Sequence, residues 1–224
     1  YVFNANIRSD ASNRFGQDVN NQFDPTYSFG ISWRIAEEEF IKNYLSWLNQ
    51  LNLRATYGIQ GNVVNSVSPD LIAQYRGIME GYDEYYLSIS SLPNPLLKWE
   101  RTKTWNLGLD MQLFNGITMS FEYYGRRSNA IINQDIAQEY GIATMKLNGG
   151  RIHNHGIEYS INLTPYKRKD FAWTIGINAS KNWNKAQNDD VRIKADKLTK
   201  DNFLNGSTDR LLKKGYPLSA FWSY

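Results

Sequence analysis

Residues 26–35 read T-Y-S-F-G-I-S-W-R-I, and the alternation of side chains in this stretch decides the fold class. The residues of one parity are all apolar: Tyr27, Phe29, Ile31, Trp33 and Ile35. The other parity carries threonine, serine, glycine and arginine. Successive side chains of a β-strand point to opposite faces. A period of two therefore predicts a strand with one apolar wall and one polar wall.

The same alternation recurs along the whole chain. It is found in residues 1–8, 51–60, 104–113, 117–123, 157–163 and 171–180, and an eighth strand is expected to begin in 220–224. Asn115-Gly116 separates two of these runs and predicts a type I′ hairpin turn. We therefore expect an all-β fold made of seven or eight antiparallel strands.

The predicted connections alternate in length. A short turn is expected at 164–170, whereas the long polar connections are expected at 9–22, 61–98, 125–151 and 183–217. Short turns at one end and long loops at the other are typical of outer-membrane barrels, and aromatic residues near strand ends suit their interfacial girdles. A soluble sandwich shows the same alternation, because it packs the apolar face against a second sheet. The pattern favours the barrel and leaves the sandwich open.

Composition excludes several other classes. The 224 residues include 32 Trp, Tyr and Phe, which is too many for a disordered segment, and no cysteine for disulfides or zinc fingers. The net charge of +3 is too small to indicate nucleic-acid binding by itself. His153 and His155 have no third ligand on their face, so we expect no metal site and no cofactor. No nucleophile–base pair or phosphate loop is evident, so we expect no enzyme.

Six segments, in order, resemble the SusC/RagA-type TonB-dependent transporters. They read R-S-D-A-S-N-R-F-G, P-T-Y-S-F-G-I-S-W-R-I-A-E-E-E-F, L-R-A-T-Y-G-I-Q-G-N, N-P-L-L-K-W-E, N-G-G-R-I-H-N-H-G-I-E and G-Y-P-L-S-A-F-W-S-Y, and begin at residues 8, 25, 53, 94, 148 and 215. The resemblance implies that residues 1–224 form part of one outer-membrane barrel of about 22 strands. The plug and N-terminal regions are expected to lie outside these residues.

The resemblance also implies a function and partners. It implies active import of an oligosaccharide or peptide across the outer membrane of a Gram-negative bacterium. The expected partners are a SusD-like surface lipoprotein, the TonB complex acting through the plug, and outer-membrane lipid. Two alternatives remain: a complete eight-stranded barrel with a structural or adhesive role, and a soluble carbohydrate-binding β-sandwich.

Candidate site residues follow from the two strand faces and the long loop 61–98. We expect the following residues to face the lumen: Arg8, Arg54, Asn106, Asp110, Glu122 and Glu158. We expect these to face lipid: Phe29, Ile31, Trp33, Leu107, Leu109 and Ile175. Aromatic side chains offer stacking surface for a substrate, so the candidate substrate contacts are Tyr75, Tyr82, Tyr85, Tyr86 and Trp99. Internal packing of the loop would explain these aromatics equally well.

Overall fold

The computed structural model describes residues 1–15, 19–187, 200–205 and 214–220, and strands dominate them. The strands are β1 (Val2–Ala11), β2 (Phe23–Arg34), β3 (Leu48–Asn62), β4 (Ile72–Met79), β5 (Glu84–Ser91), β6 (Glu100–Leu113), β7 (Ile117–Asp135), β8 (Thr144–Lys167) and β9 (Ala172–Ala186). Short helical turns lie at Val19–Gln22, Ile35–Glu37, Glu39–Lys42, Gln138–Tyr140 and Lys200–Leu204. None of the helices described is long and apolar enough to cross a membrane. The predicted all-β antiparallel fold is confirmed, whereas the strand expected at 220–224 falls almost wholly outside the described residues.

Seven strands form one sheet in the order β1-β2-β3-β6-β7-β8-β9, and every neighbouring pair is antiparallel. The register keeps side chains of like polarity together. One row across six strands is Trp33, Leu53, Leu109, Phe121, Tyr159 and Ala179. The adjacent row is Ser32, Arg54, Gly108, Glu122, Glu158 and Ser180. The sheet therefore has an apolar face, which carries the first row, and a polar face, which carries the second.

This sheet is a single layer. The buried hydrophobic residues among those described are Phe15, Val67, Leu97 and Ala186, which lie near the loop end of the sheet rather than at its centre. The chain exposes 16263 Å² for a mass of 25.9 kDa, whereas a monomeric globular protein of that mass exposes roughly 10,500 Å². The excess follows from an apolar face that no described element covers.

The described architecture disagrees with the soluble sandwich, whereas the eighth strand of the complete barrel, expected at 220–224, lies almost wholly outside the described residues. A soluble sandwich requires a second sheet on the apolar face, and the only other described sheet is the two-stranded β4–β5 hairpin. A complete eight-stranded barrel requires its first and last strands to pair. In the described part of the chain, β1 and β9 do not pair with each other, and Ala186 at the end of β9 exchanges backbone hydrogen bonds with Gly215 and Tyr216.

The predicted loop over 125–151 is wrong. Strand β7 continues to Asp135 and β8 begins at Thr144, so the connection covers only residues 136–143. At about 3.4 Å per residue, the 19 residues of β7 are about 65 Å long. That length far exceeds a hydrocarbon core of about 30 Å. The far halves of β7 and β8 therefore extend beyond any membrane as a paired ribbon.

The turn between β6 and β7 also differs from its prediction. Positive φ angles occur at Phe114 (49°) and Asn115 (39°), so the I′-like turn is centred one residue earlier than Asn115-Gly116. Gly116 serves a different purpose. A Cβ there would lie 2.9 Å from the Thr164 carbonyl oxygen, and the Thr164 amide donates to the Gly116 carbonyl at 2.6 Å. The glycine is needed for this close approach of β8.

Candidate functional site

An ionic network occupies the centre of the polar face. Arg54 Nε donates to Asp110 Oδ2 at 2.7 Å, and Arg54 Nη2 donates to Glu122 Oε1 at 3.0 Å. Asn106 Nδ2 donates to the other Glu122 oxygen at 2.9 Å. One guanidinium thus joins two carboxylates, and the half-exposed cluster carries a net charge of −1.

Gly108 allows Arg54 to reach Glu122. The cross-strand register places Gly108 on β6 between Arg54 on β3 and Glu122 on β7. A Cβ at Gly108 would lie 3.0 Å from Arg54 Nη2. The guanidinium therefore crosses β6 where the strand has no side chain. This glycine is a site residue that the sequence analysis missed, since its role depends on the register.

At two other places in the sheet, a side chain lies over a glycine of the neighbouring strand. On the polar face, Tyr124 extends over Gly156 and its hydroxyl accepts a hydrogen bond from Asn182 Nδ2 at 3.0 Å. On the apolar face, the Trp105 ring lies over Gly125, where a Cβ would be 2.5 Å from the ring. Aromatic side chains that cover a glycine on the next strand fix register. These contacts hold the polar and apolar surfaces in a defined alignment.

The two other predicted lumen residues lie outside the Arg54 network. Glu158 is the cross-strand partner of Glu122 on the polar face. Arg8 is near the edge of the sheet and pairs with Asp10 on its own strand at 2.6 Å. A depression of about 450 Å³ lies beside Glu122 and Glu158 and is also lined by Ser120 and Ser160. The polar face thus presents carboxylates and hydroxyls, which are suited to hydrogen bonding with a polar solute.

The residues predicted to face lipid share the apolar face. Phe29 is 49% exposed and Leu107 is 47% exposed, although both lie in the middle strands of the sheet. Ile31 and Ile175 are also exposed, whereas Leu109 and Trp33 are partly covered. Contact of these residues with lipid stays a prediction; an exposed apolar surface of this kind marks a site of interaction with a membrane, a protein or a ligand.

Aromatic pairs lie at both ends of the apolar face. At the short-turn end, three ring pairs have centroids 5.7–5.9 Å apart: Tyr1–Trp33, Trp47–Phe114 and Tyr166–Phe171. At the loop end, Trp105 meets Tyr123 edge-on at 5.0 Å and Trp183 stacks on His155 at 5.3 Å. The distance from Trp173 to Trp183 along a strand tilted by about 40° corresponds to roughly 26 Å of height. This height matches the apolar band of about 25 Å in outer-membrane barrels.

The tyrosines predicted to contact substrate lie on a separate hairpin. Tyr75 is on β4, Tyr85 and Tyr86 are on β5, and Tyr82 is in the turn between them. The Tyr75 and Tyr85 rings are 5.8 Å apart, and these side chains are 61% and 72% exposed. Tyr86 points to the opposite face of β5 and is less exposed, at 37%. The hairpin was missed in the sequence because both its faces are solvated.

Trp99 lies apart from those tyrosines, in a small hydrophobic core at the base of the loops. It packs against Phe15 with ring centroids 5.4 Å apart, and its Nε1 donates to the Gln22 carbonyl at 3.2 Å. The core also contains Val67 and Leu97. Trp99 thus anchors the loop base in this structure, and its contact with substrate stays a prediction.

The structure offers no constellation for metal chemistry in the described residues. His153 and His155 lie side by side with ring centroids 5.7 Å apart. No group of three or more histidine, aspartate or glutamate side chains there is arranged to hold a metal ion. The chemistry of the described site is therefore that of polar and aromatic contact.

Comparison with known proteins gives a consistent result. The profile of the family described as "TonB dependent receptor-like, beta-barrel" matches residues 1–223. The chain is 31% identical to TonB-dependent receptor SusC of Bacteroides thetaiotaomicron and 30% identical to TonB-dependent receptor P3 of Formosa agariphila. Both alignments cover 100% of this chain, but only 23% and 22% of those relatives. The chain thus spans less than a quarter of the length of these relatives.

Solved structures agree with the sequence comparison. The chain is similar to the RagAB peptide importer in its closed-closed state, with a TM-score of 0.71 and 28% identity. It is equally similar to the open-open state of that importer, with the same TM-score and identity. Each match covers 83% of this chain and 20% of the solved chain.

Proposed function

Because this chain belongs to the TonB-dependent receptor-like β-barrel family, we propose that it forms part of the wall of an outer-membrane importer in a Gram-negative bacterium. Its sheet is a segment of a larger antiparallel barrel, which in this proposal has about 22 strands and a plug. The imported solute is a bulky nutrient, either an oligosaccharide or a peptide. The chain has a transport role and no catalytic one.

The observation that carries the proposal is the sheet's two unlike, uncovered faces. The apolar face meets outer-membrane lipid, because aqueous exposure of side chains such as Phe29 and Leu107 would be unfavourable. The polar face lines the lumen, where water or solute contacts the Arg54 network. Apolar-out and polar-in alternation is the arrangement that outer-membrane barrels require.

The polar face supports passage of a polar solute rather than tight retention. Its carboxylates are either paired with Arg54 or half-exposed, so they offer hydrogen bonds that exchange readily with water. In this proposal, energy reaches the lumen from the TonB complex through the plug. The lumen wall itself stays rigid, since Gly108 and Gly156 lock side chains between neighbouring strands.

The β4–β5 hairpin supports a role in capture outside the membrane. Tyr75, Ile78, Tyr85 and Leu87 are all more than half exposed, and the register brings them to one end of the hairpin. An aromatic and aliphatic surface of this kind suits contact with a sugar ring, a peptide side chain or a protein partner. We place here both solute capture and contact with a SusD-like surface lipoprotein.

Uptake by the full-length protein tests this proposal. Alanine at Tyr75, Tyr82 and Tyr85 together is expected to reduce uptake at least roughly tenfold, because each lost aromatic contact costs about 0.5–1.5 kcal/mol beyond area burial. The matched control is Tyr140→Ala, which removes a tyrosine of similar exposure, 61%, from the β7–β8 connection. Radiolabelled oligosaccharide and peptide mixtures supply the solutes, and surface abundance is measured in parallel.

Two outcomes contradict this assignment. Normal uptake by the triple variant at normal abundance excludes the hairpin from capture. Lost abundance in the triple variant alone shows that the tyrosines only stabilise the protein. Co-purification of the lipoprotein separates the remaining roles, because a solute-contacting hairpin leaves the lipoprotein bound.

A further inference from the structure

A row of basic side chains crosses the apolar face directly beyond its outer aromatic pairs. The cross-strand register aligns Lys103 on β6, Arg127 on β7, His153 on β8 and Lys185 on β9. These four residues have the same parity as Leu107, Phe121 and Ile157, so they lie on the lipid side of the sheet. Three inter-strand steps make this basic row about 14 Å wide.

On its own four strands, the basic row has no acid at the neighbouring positions of the same face. On the four strands, the same-parity positions nearest the row carry tryptophan, glycine, asparagine, glutamine, histidine or arginine. Arg101 and Arg151 lie one step farther from the membrane, and Lys181 one step below Trp183. Three cations at one height, on β6, β7 and β9 with His153 between them, are not the mixture of signs expected for an ordinary solvated surface.

The cations of the basic row are available to an external anion. Lys103, Arg127 and Lys185 are exposed, and none of them has an ion pair within the described part of the chain. Arg101 differs, because it is paired with the fully buried Asp24. That pair neutralises Arg101 and leaves the charge of the row itself unopposed.

A concave surface adjoins the basic row. A depression of about 660 Å³ is lined by Lys103, Arg127, Arg101 and Arg151, by the amides of Asn129 and Asn148, and by the carboxylate of Asp24. Its lining combines cationic and neutral amide donors with one acid, Asp24, which is already paired with Arg101. Phosphate is the anion best matched by several Lys and Arg donors converging on one concavity.

We propose that the basic row binds the phosphate groups of an anionic lipid in the outer leaflet of the membrane. The lipid is favoured over a soluble anion by position, because the row continues the apolar face. Trp105, Tyr123 and Trp183 lie immediately below it, at the depth where aromatic residues mark the interface. Acyl chains on the apolar face and phosphates on the row then belong to one molecule. This inference rests on the proposed membrane orientation.

The opposite end of the sheet lacks such a row. The short-turn end carries Lys42, Lys167 and Lys169, but it also carries Asp170 and the run Glu37-Glu38-Glu39. Because positive and negative side chains are mixed there, this end has no concentrated positive charge that would attract phosphate. The asymmetry predicts that the phosphate-bearing lipid binds at the loop end alone.

The test uses the full-length protein purified from outer membranes and compares three ligands. They are phosphorylated lipid A in detergent micelles, the same lipid after enzymatic dephosphorylation, and inorganic phosphate. The variant combines Lys103→Gln, Arg127→Gln and Lys185→Gln. The control combines Lys42→Gln, Lys167→Gln and Lys169→Gln, which removes the same charge from the other end. Quenching of tryptophan fluorescence reports binding, because Trp105 and Trp183 adjoin the row.

The expected result is affinity for phosphorylated lipid A that is about 100-fold weaker in the variant and unchanged in the control. Dephosphorylated lipid is expected to bind the unsubstituted protein as weakly as phosphorylated lipid binds the variant. Equal binding by variant and control, or equal binding of both lipids, overturns the inference. Tight binding of inorganic phosphate alone identifies a soluble-anion site and also overturns it.

A separate measurement distinguishes this failure from failure of the proposed function. If the protein is recovered in the outer-membrane fraction and supports uptake while the variant binds lipid A normally, only the lipid inference fails. If the protein is absent from the outer membrane, the proposed function fails. Heat-modifiable electrophoretic migration confirms that the variant barrel is folded.

Discussion

Arginine at Phe121 is predicted to destabilise the barrel far more than arginine at the adjacent Ser120. Phe121 lies on the apolar face, in register with Leu109, about halfway between the two aromatic ends. Ser120 lies on the polar face, where its cross-strand partner is Asp110. The two substitutions add the same charge at nearly the same depth. They differ in the face that receives the charge and in the side chain that is removed.

The magnitude follows from two contributions. Arginine on the lipid face at the bilayer midplane costs about 2–4 kcal/mol. Phe121 is 44% exposed, so the lost contact of its ring with lipid adds about 1 kcal/mol. The expected loss of folding free energy for Phe121→Arg is therefore about 3–5 kcal/mol. For Ser120→Arg we expect a change below about 1 kcal/mol, because Asp110 offers a partner and the face is wet.

Denaturant-induced unfolding of the full-length protein in lipid vesicles measures both values. The order of the two variants matters more than their absolute values. Similar losses for both substitutions would refute the assignment of faces, since they would indicate that both sides of β7 are closed to water and lipid alike. A greater loss at Ser120 would place lipid on the polar face.

Two further predictions concern the network and the topology. Arg54→Met leaves Asp110 and Glu122 without their cation. It is expected to reduce the stability of the folded protein by about 1 kcal/mol, a small value because the three side chains are partly exposed. A double-mutant cycle with Asp110→Asn that shows no coupling would exclude the pair as a stabilising contact. A cysteine at Glu80, in the turn of the β4–β5 hairpin, is expected to react with an impermeant maleimide on intact cells. A cysteine at Lys169 is expected to react only after the outer membrane is permeabilised. The reverse pattern would invert the topology.

The strands and their two faces were predictable because apolar and polar side chains alternate strictly along them. Phe29 and Ile31 are apolar whereas the neighbouring Ser28 and Gly30 are not, as expected if one face meets hydrocarbon and the other a wet lumen, which is the proposed arrangement. The open sheet and its strand order confirm the predicted fold class. The alternation can be recognised in each strand separately, because it does not depend on which strands pair with each other.

The long ends of β7 and β8 were not predictable by the same rule. Residues 125–130 read G-R-R-S-N-A, so neither parity is apolar. In the proposed orientation these residues lie beyond the membrane, where both faces of a strand meet water, so the period of two disappears while the backbone pairing continues. The β4–β5 hairpin escaped prediction in a related way, because Tyr85 and Tyr86 put aromatic side chains on both of its faces.

The sequence predicted which face of the sheet carries the candidate site residues, but it did not predict which of them contact each other. Parity alone placed Arg54, Asp110 and Glu122 on the polar face. Their bonds depend on register, and the decisive residue is Gly108, whose missing side chain lets the guanidinium cross a strand. Register across three strands is set by turns and bulges far from the site. A single sequence without an alignment gives no direct measure of it.

Spin-label accessibility along residues 118–123 tests the central claim most directly. Single cysteines at these positions of the full-length protein in a bilayer carry a nitroxide, and collisions with oxygen and with an aqueous nickel complex are measured. We predict oxygen maxima at Met119, Phe121 and Tyr123, and nickel maxima at Ser120 and Glu122. Accessibility without a period of two, or oxygen maxima on the even positions, would contradict a wall with lipid on one face and an aqueous lumen on the other.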